Sequence, residues 1–167
     1  MSRAMGSQAD VAAAAHEPNF TVIRLEGFGP SVDARSALVR TLAPGPHALA
    51  EEDAAQFWAR LRKPLPGRDI LWRISVPPSR APDVVETLED AWTMDWAGGL
   101  IWAACLDAAA VRQAAEAAGG HAMLLRGPEA LRSAVPTLHP PSAGVAALEM
   151  RVRRAFDPAG VFETGRF

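Results

Sequence analysis

Four short segments of this chain alternate apolar and polar side chains, and each lies beside a glycine or a proline. They cover residues 20–26, 70–76, 100–106 and 121–126. A period of two is typical of strands that bury one face. Apolar residues at helical spacing fill the stretches between them, and several connections are so short that a strand leads almost directly into a helix and back. This pattern predicts an α+β fold, with helices covering a mainly antiparallel sheet, as in ferredoxin-like layouts.

Six helices are predicted, one of them capped by Asp107 and ended by the left-handed exit at Gly119-Gly120. Three of the six are indicated by their charge pattern or by the spacing of their apolar residues. The clearest begins at Glu51, with acidic residues at its start and Lys63 beyond its basic last turn, which suits the helix dipole. Another is predicted from Val84 to Trp92, and the last covers residues 143–155. The packing stripe predicted for the last helix consists of Val145, Leu148, Val152 and Phe156.

Bulk properties narrow the class of protein. The 167 residues fit one domain, and we expect residues 1–167 to form it. The formal net charge is -2 and the basic residues are scattered, so we expect no nucleic-acid partner. No apolar run approaches the roughly 20 residues of a membrane span. The single cysteine, Cys105, cannot form an internal disulfide; its apolar neighbours predict a small buried side chain in a strand, and a reducing cytoplasm suits it.

Common catalytic signatures are missing from the sequence. Gly27-Phe28-Gly29 lacks the third glycine of a dinucleotide-binding loop, and no phosphate-binding loop or nucleophile elbow occurs. The histidines are His16, His47, His121 and His139, and none has the spacing of paired metal ligands. We therefore predict no metal site.

The C-terminal segment is the most distinctive part of the chain. Asp157-Pro158 and Gly160 predict a turn directly after the last helix. Phe162 could then fold back onto the core. From the residues alone, the role of this segment is to hold the end of the chain against the core.

The same segment resembles the ending of FAD-linked oxidases, which reads Asp-Pro-x-Gly-x-Phe-Asn-Pro-Gly-Arg. Glu163-Thr164 replaces the usual Asn-Pro, while Gly165 and Arg166 match. Similarity extends over nearly the whole chain and narrows to the FAD-binding subunit of glycolate oxidase. The other matching stretches are Ala4-Met5-Gly6-Ser7, Ala14-Ala15-His16, Arg24-Leu25-Glu26-Gly27, Ser31-Val32, Leu71 to Pro78, Asp95-Trp96-Ala97-Gly98-Gly99 with Trp102, and Gly119-Gly120-His121-Ala122.

This resemblance implies that the chain is the C-terminal cap region of such an oxidase, without the N-terminal flavin-binding domain. FAD would be the cofactor of the intact subunit, and the isolated chain would neither hold it tightly nor be active. Residues 156–167 would return to the flavin domain, where Glu163, Gly165 and Arg166, together with Trp102, are the implied cofactor contacts. The partners would be other glycolate oxidase subunits, including an iron-sulfur subunit, placing the cytoplasmic protein peripherally at the inner membrane.

A 2-hydroxyacid substrate needs a cation for its carboxylate and a base for its hydroxyl proton. Arg24 and Arg73 lie on the polar faces of predicted strands and are the candidate carboxylate ligands. His16 and His121 are the candidate bases, because imidazole titrates near neutral pH. The alternatives are ion-paired surface arginines and structural histidines. Among the tryptophans, Trp72, Trp96 and Trp102 are also compatible with plain core positions.

Two other functions fit the same sequence. A cap-derived domain without a flavin partner could act as a non-catalytic interaction module, which the Glu163-Thr164 departure favours. A free-standing binder of small ligands would instead bind a hydroxyacid by itself. The leading hypothesis remains the oxidation of glycolate to glyoxylate within a multi-subunit complex.

Overall fold

A six-stranded antiparallel sheet organises the chain. The computed structural model describes residues 1–43, 45–88 and 91–162. Its strands are β1 (Ala13–Glu17), β2 (Phe20–Arg24), β3 (Leu71–Ser75), β4 (Trp92–Asp95), β5 (Leu100–Ala103) and β6 (His121–Arg126). Its α-helices are α1 (Ser2–Met5), α2 (Gly29–Leu42), α3 (Glu51–Leu61), α4 (Ala81–Glu86), α5 (Ala108–Ala117), α6 (Glu129–Ala134) and α7 (Ala143–Phe156).

The strands lie in the order β2-β1-β4-β5-β3-β6. The stretch from β3 to β6 follows the succession β-α-β-β-α-β, in which β3 lies between β5 and β6 and pairs with both. The hairpin of β1 and β2 extends the sheet beyond β4, through the pairing of His16 with Met94. The α+β class and the mainly antiparallel sheet predicted from the sequence are confirmed.

The main core lies on one face of this sheet. Trp72 and Ile74 of β3 are fully buried there, against Val84 of α4 and Val111 of α5. The Trp72 indole nitrogen donates a hydrogen bond to the Cys105 carbonyl at 2.9 Å, so its one polar atom is satisfied. Helices α4 and α5 therefore form the second layer over β3 and its neighbours.

A smaller cluster forms under α3 on the other face. Phe57 and Leu61 of α3 pack on Ala15 of β1 and Val22 of β2. His16 pairs with Met94 and points to the core face of the sheet. Because neighbouring strand residues point to opposite faces, Ala15 points to the other face. Helix α3 thus covers the β1 and β2 end of that face.

Most predicted elements are confirmed with nearly the predicted limits. Strands β2, β3, β5 and β6 lie within the four alternating segments, and α3 begins at Glu51 as its charge pattern predicts. Asp107 caps α5 by accepting a hydrogen bond from the Ala110 N–H at 3.0 Å. Cys105 is buried as predicted, although β5 ends at Ala103.

Two strands, β1 and β4, were not predicted from the sequence. The predicted helix from Val84 to Trp92 is wrong at its end, since α4 stops at Glu86 and Trp92 begins β4. Strand β1 is rich in alanine, the best helix former, and has no clear alternation. Pairing with β2 and β4 overrides that local preference, as tertiary contacts commonly do for short strands.

The predicted packing of the C-terminal region is wrong. Helix α7 forms over the predicted residues, but none of its residues is buried. Its apolar stripe is exposed: Val145, Leu148, Val152 and Phe156. Phe162, predicted to fold back onto the core, is 79% exposed. Among the described residues, no helix is long and apolar enough to cross a membrane.

The buried and exposed tryptophans give a direct test of this fold. Changing Trp72 to Phe leaves a cavity in the core and removes the indole N–H that donates to the Cys105 carbonyl, so we expect a loss of about 2–3 kcal/mol in the free energy of unfolding. The same change at Trp96, which is 60% exposed, should cost less than about 0.5 kcal/mol. Urea unfolding of both variants measures the difference, and equal losses would contradict the described core.

Candidate functional site

Strand register collects several candidate side chains on the face opposite the main core. Arg73 of β3 pairs directly with Trp102 of β5 and Met123 of β6. Residues paired across strands point to the same side, and their neighbours point to the other. Since Trp72 and Ile74 fill the core, Arg73, Trp102 and Met123 lie on the second face, which we call the Arg73 face.

The Arg73 guanidinium is half-buried and lacks a counter-charge. Its carbon atom lies 5.4 Å from the centre of the Trp96 ring, a cation–π arrangement. Within residues 1–43, 45–88 and 91–162, the Arg73 side chain makes no ion pair and no hydrogen bond. A half-buried cation of this kind attracts an anion, and the planar guanidinium suits a carboxylate through two parallel hydrogen bonds.

The turn between β4 and β5 holds Trp96 above Arg73. Trp96 and Ala97 both adopt positive φ angles, 51° and 56°, which is unfavourable for residues other than glycine. Asp95 stabilises the turn, because its side chain accepts a hydrogen bond from the Trp96 N–H at 2.7 Å. Gly98 follows at φ 105°, where an added Cβ would press on the Pro78 carbonyl.

Of the three tryptophans compatible with core positions, Trp96 does not lie in the core. Its ring is exposed and contacts Arg73 instead. The signal that could have revealed this is Asp95 at a capping position, directly before a turn that ends in Gly98-Gly99.

His121 shares the Arg73 face. It begins β6 and pairs with Ser75, two residues along β3 from Arg73. Diagonal neighbours of this kind are about 7–8 Å apart. The His121 ring is exposed, so the structure brings together one candidate base and one candidate carboxylate ligand.

Gly120 allows β6 to approach β3 this closely. A Cβ added at Gly120 would overlap the Ser75 carbonyl oxygen and the Val76 side chain. The preceding Gly119 has a φ of 75° and open space around it, and it provides the left-handed exit from α5 that the sequence predicts.

His16 lies on the opposite side of the sheet. It pairs with Met94, in the row that contains the buried Ile74. Its Nδ1 is 2.9 Å from the Thr21 hydroxyl, and its ring contacts Trp92 at 5.6 Å. Burial lowers the pKa of His16 below its usual value, while a backbone hydrogen bond involving Phe20 partly opposes this. The structure therefore does not bring His16 together with Arg73.

Arg24 lies on the Arg73 face but at the far edge of the sheet. It is in β2, four strand positions from β3, which corresponds to about 19 Å. It forms an ion pair with Glu26 at 2.5 Å and lies 5.9 Å from the centre of the Trp58 ring. Arg24 thus has its own partners and is separate from the Arg73 cluster.

The remaining candidates belong to the C-terminal segment and to Trp102. The predicted turn is present: the Asp157 carboxylate accepts hydrogen bonds from the N–H groups of Val161 and Phe162, and Gly160 has a φ of 67°. The predicted cofactor contacts Glu163, Gly165 and Arg166 lie outside the described residues. Trp102 is half-buried beside Arg73. In the described part of the chain, no group of three or more His, Cys, Asp or Glu residues could hold a metal ion.

Comparison with known proteins identifies a relative. The chain is 35% identical to glycolate oxidase subunit GlcE of Escherichia coli strain K12, in an alignment of 151 positions that covers 86% of this chain. This chain is thus similar to GlcE over most of its own length. The resemblance predicted from the sequence motifs is therefore confirmed. The chain spans 37% of the length of this GlcE. No protein-family model matches the chain, and no solved structure matches it.

Glycine substitutions test the close approach that places His121 on this face. We expect Gly120→Ala to lower the free energy of unfolding by about 3 kcal/mol or more, because β6 must move away from β3. Gly119→Ala meets no neighbouring atom and should cost only about 1 kcal/mol, through its positive φ. Chemical denaturation of both variants gives the comparison. A Gly120 variant as stable as the Gly119 variant would show that β6 does not lie where we describe it.

Proposed function

We propose that this chain forms the substrate-side cap of an FAD-dependent 2-hydroxyacid oxidoreductase, a glycolate oxidase subunit that converts glycolate to glyoxylate together with partner subunits. The proposal joins the similarity to GlcE with one structural observation. The part of the Arg73 face over β3, β5 and β6 carries the half-buried Arg73, which has no counter-charge among the described residues. Helix α3 covers the part over β1 and β2.

The arrangement around Arg73 suits a small 2-hydroxyacid. Arg73 would bind the carboxylate, while the rings of Trp96 and Trp102 limit the directions from which a ligand can approach. His121 would accept the hydroxyl proton, since an imidazole can serve as a base near neutral pH and His121 is a diagonal neighbour of Arg73 on the same face. His16 and Arg24 lie too far away to take part in the same site.

The flavin would be held by a polypeptide segment other than this chain. Bound FAD supplies the acceptor for the hydride that leaves the hydroxyacid carbon. The described residues fit the substrate carboxylate, but Gly27-Phe28-Gly29 at the start of α2 lacks the third glycine of the loop that usually holds a diphosphate. We accordingly assign to this chain the binding and orientation of the substrate, and to Glu163, Gly165 and Arg166 a supporting contact with the flavin domain.

Helix α7 supports the idea that this chain docks onto a further domain. Its stripe of Val145, Leu148 and Val152 is about half exposed, and Phe156 is 85% exposed. Exposed apolar stripes of this size are characteristic of contact surfaces. The C-terminal segment, residues 156–167, would follow α7 towards the flavin domain, and the iron-sulfur and other subunits would assemble around the complete protein.

Arg73 is tested best in a chimera. The aligned part of E. coli GlcE is replaced by this chain, and the purified complex is assayed for glycolate-dependent reduction of a dye. Changing Arg73 to Lys removes the two-pronged contact, so we expect kcat/KM to fall roughly 10- to 100-fold. The matched variant Arg24→Lys should stay within about threefold of the unchanged chimera.

Three outcomes of the chimera experiment would contradict the proposal. A well-folded chimera without the yellow colour of bound flavin would argue that this chain does not complete such a subunit. A yellow chimera in which both arginine variants lose activity equally would remove Arg73 from its assigned role. Complex formation with the partner subunits but without any oxidase activity would favour the interaction-module alternative.

The role of α7 is tested with a charge in its stripe. We expect Leu148→Glu to leave the free energy of unfolding of the isolated chain within about 0.5 kcal/mol, since Leu148 is exposed there. In the chimera, the same change should lower the amount of flavin retained after gel filtration, because a carboxylate would be buried against the flavin domain. Leu106→Glu, at a 72% exposed position outside α7, is the matched control. Equal flavin retention in both variants would rule out docking through α7.

A further inference from the structure

The two edges of the sheet differ in how they are protected. At the β6 edge, the Leu124 N–H donates to the Thr137 carbonyl at 2.9 Å, and the Ala122 N–H donates to Nδ1 of His139 at 3.2 Å. The connector after α6 therefore covers that edge. Proteins usually cover or disrupt edge strands in this way, because their free backbone groups pair with other chains.

The β2 edge has no such cover. A two-residue loop joins Glu17 to Phe20, and residues that flank such a loop exchange hydrogen bonds with each other. Alternate residues then point to β1, in agreement with the bond from the Ala12 N–H to the Arg24 carbonyl at 2.9 Å. The N–H and C=O groups of Thr21 and Ile23 consequently point outward. Among the residues that the structure describes, no backbone or side-chain group forms a hydrogen bond with these N–H and C=O groups.

A groove lies directly beside this edge, between β2, α2 and α3. Its volume is about 1580 Å³, and every residue from Asn19 to Leu25 lines it. Helix α2 forms the opposite wall and has no buried residue of its own. The guanidinium of Arg35, which donates to the carbonyl groups of Glu26 and Asp10, holds the first half of this helix in place. The groove therefore lies between an edge strand with unpaired backbone groups and a helix that Arg35 holds in place.

The lining of the groove is apolar with an excess of positive charge. Its apolar members include Phe20, Val22, Val32, Val39, Phe57 and Trp58. Its charged members are Arg3, Arg24, Arg40, Arg60 and Asp53. Arg24 and Arg60 form ion pairs with Glu26 and Glu17, whereas Arg3 and Arg40 make no ion pair within the described ranges.

We propose that the β2 edge is a docking site for an extended segment of a partner protein, in which apolar residues alternate with acidic ones. The segment would lie in the groove as a seventh strand, with its backbone bonded to Thr21 and Ile23. Its apolar side chains would pack on Phe57 and Trp58 of α3, and its carboxylates would meet Arg3 and Arg40. This mode of recognition takes its affinity from main-chain hydrogen bonds and its specificity from alternate side chains. It does not depend on the chemistry at Arg73.

The test uses the full chain labelled with nitrogen-15 and a capped peptide of alternating valine and glutamate, about seven residues long. Amide hydrogen exchange is followed by NMR during the titration. We expect saturation with the peptide to slow the exchange of the Thr21 and Ile23 amides by about tenfold or more. The Val22 amide, which already points to β1, should change little and serves as the internal control.

Two further comparisons separate backbone pairing from mere charge attraction. A peptide with proline in place of its central valine lacks one backbone N–H that would donate to β2. This peptide should therefore not slow the exchange of the Thr21 and Ile23 amides. Arg40→Glu should weaken binding of the original peptide roughly fivefold, whereas Arg132→Glu, on the exposed α6, should leave it unchanged. Circular dichroism of both variants checks that each remains folded.

Several results would overturn the proposal. Unchanged exchange at Thr21 and Ile23 at saturating peptide would do so, as would equal binding of the proline peptide. Exchange at Thr21 and Ile23 could instead slow as the protein concentration increases, without any peptide. Together with a dimer in gel filtration, that result would show that the edge pairs with a second copy of this chain.

Discussion

The alternation of side chains along β3 is the constraint on which the rest of the structure depends. Antiparallel pairing with β5 and β6 fixes both neighbours of this strand. Trp72 and Ile74 then fill the core beneath α4 and α5, and Arg73 must point to the other face. A shift of one residue would place a guanidinium in the core and two large apolar side chains in water, so burial on one side determines what is presented on the other.

The two faces of the sheet therefore serve different purposes. The core face is closed by helices whose apolar residues are packed on Trp72 and Ile74. On the Arg73 face, α3 packs on β1 and β2, and Thr93 of β4 and Leu100 of β5 are also buried. Over β3, β5 and β6 this face presents a cation held by the strained turn around Trp96. Local strain of this kind is maintained only where the surroundings fix it, which agrees with a role in positioning a ligand.

The site could be predicted in part. Arg73 and His121 lie in strongly alternating strands, so the sequence predicts that both lie on a polar face. The Gly119-Gly120 pair likewise predicts the sharp turn before β6. Their closeness depends on β6 pairing beside β3, a contact between residues nearly 50 positions apart in sequence. His16 and Arg24 looked equivalent to them because β1 was not recognised, and without β1 neither the order of strands nor the side of the sheet could be assigned.

The sequence by itself determined the elements whose signals are local: the alternating strands, the charge pattern of α3, the Asp107 cap, the turn at Asp157 and the motifs shared with GlcE. Tertiary structure alone decided the rest. It made strands of the alanine-rich β1 and the four-residue β4, it left the α7 stripe uncovered, and it separated Arg73 from Arg24. The physical reason is that capping and periodicity act between residues near in sequence, whereas strand pairing and burial depend on partners that are distant in the chain.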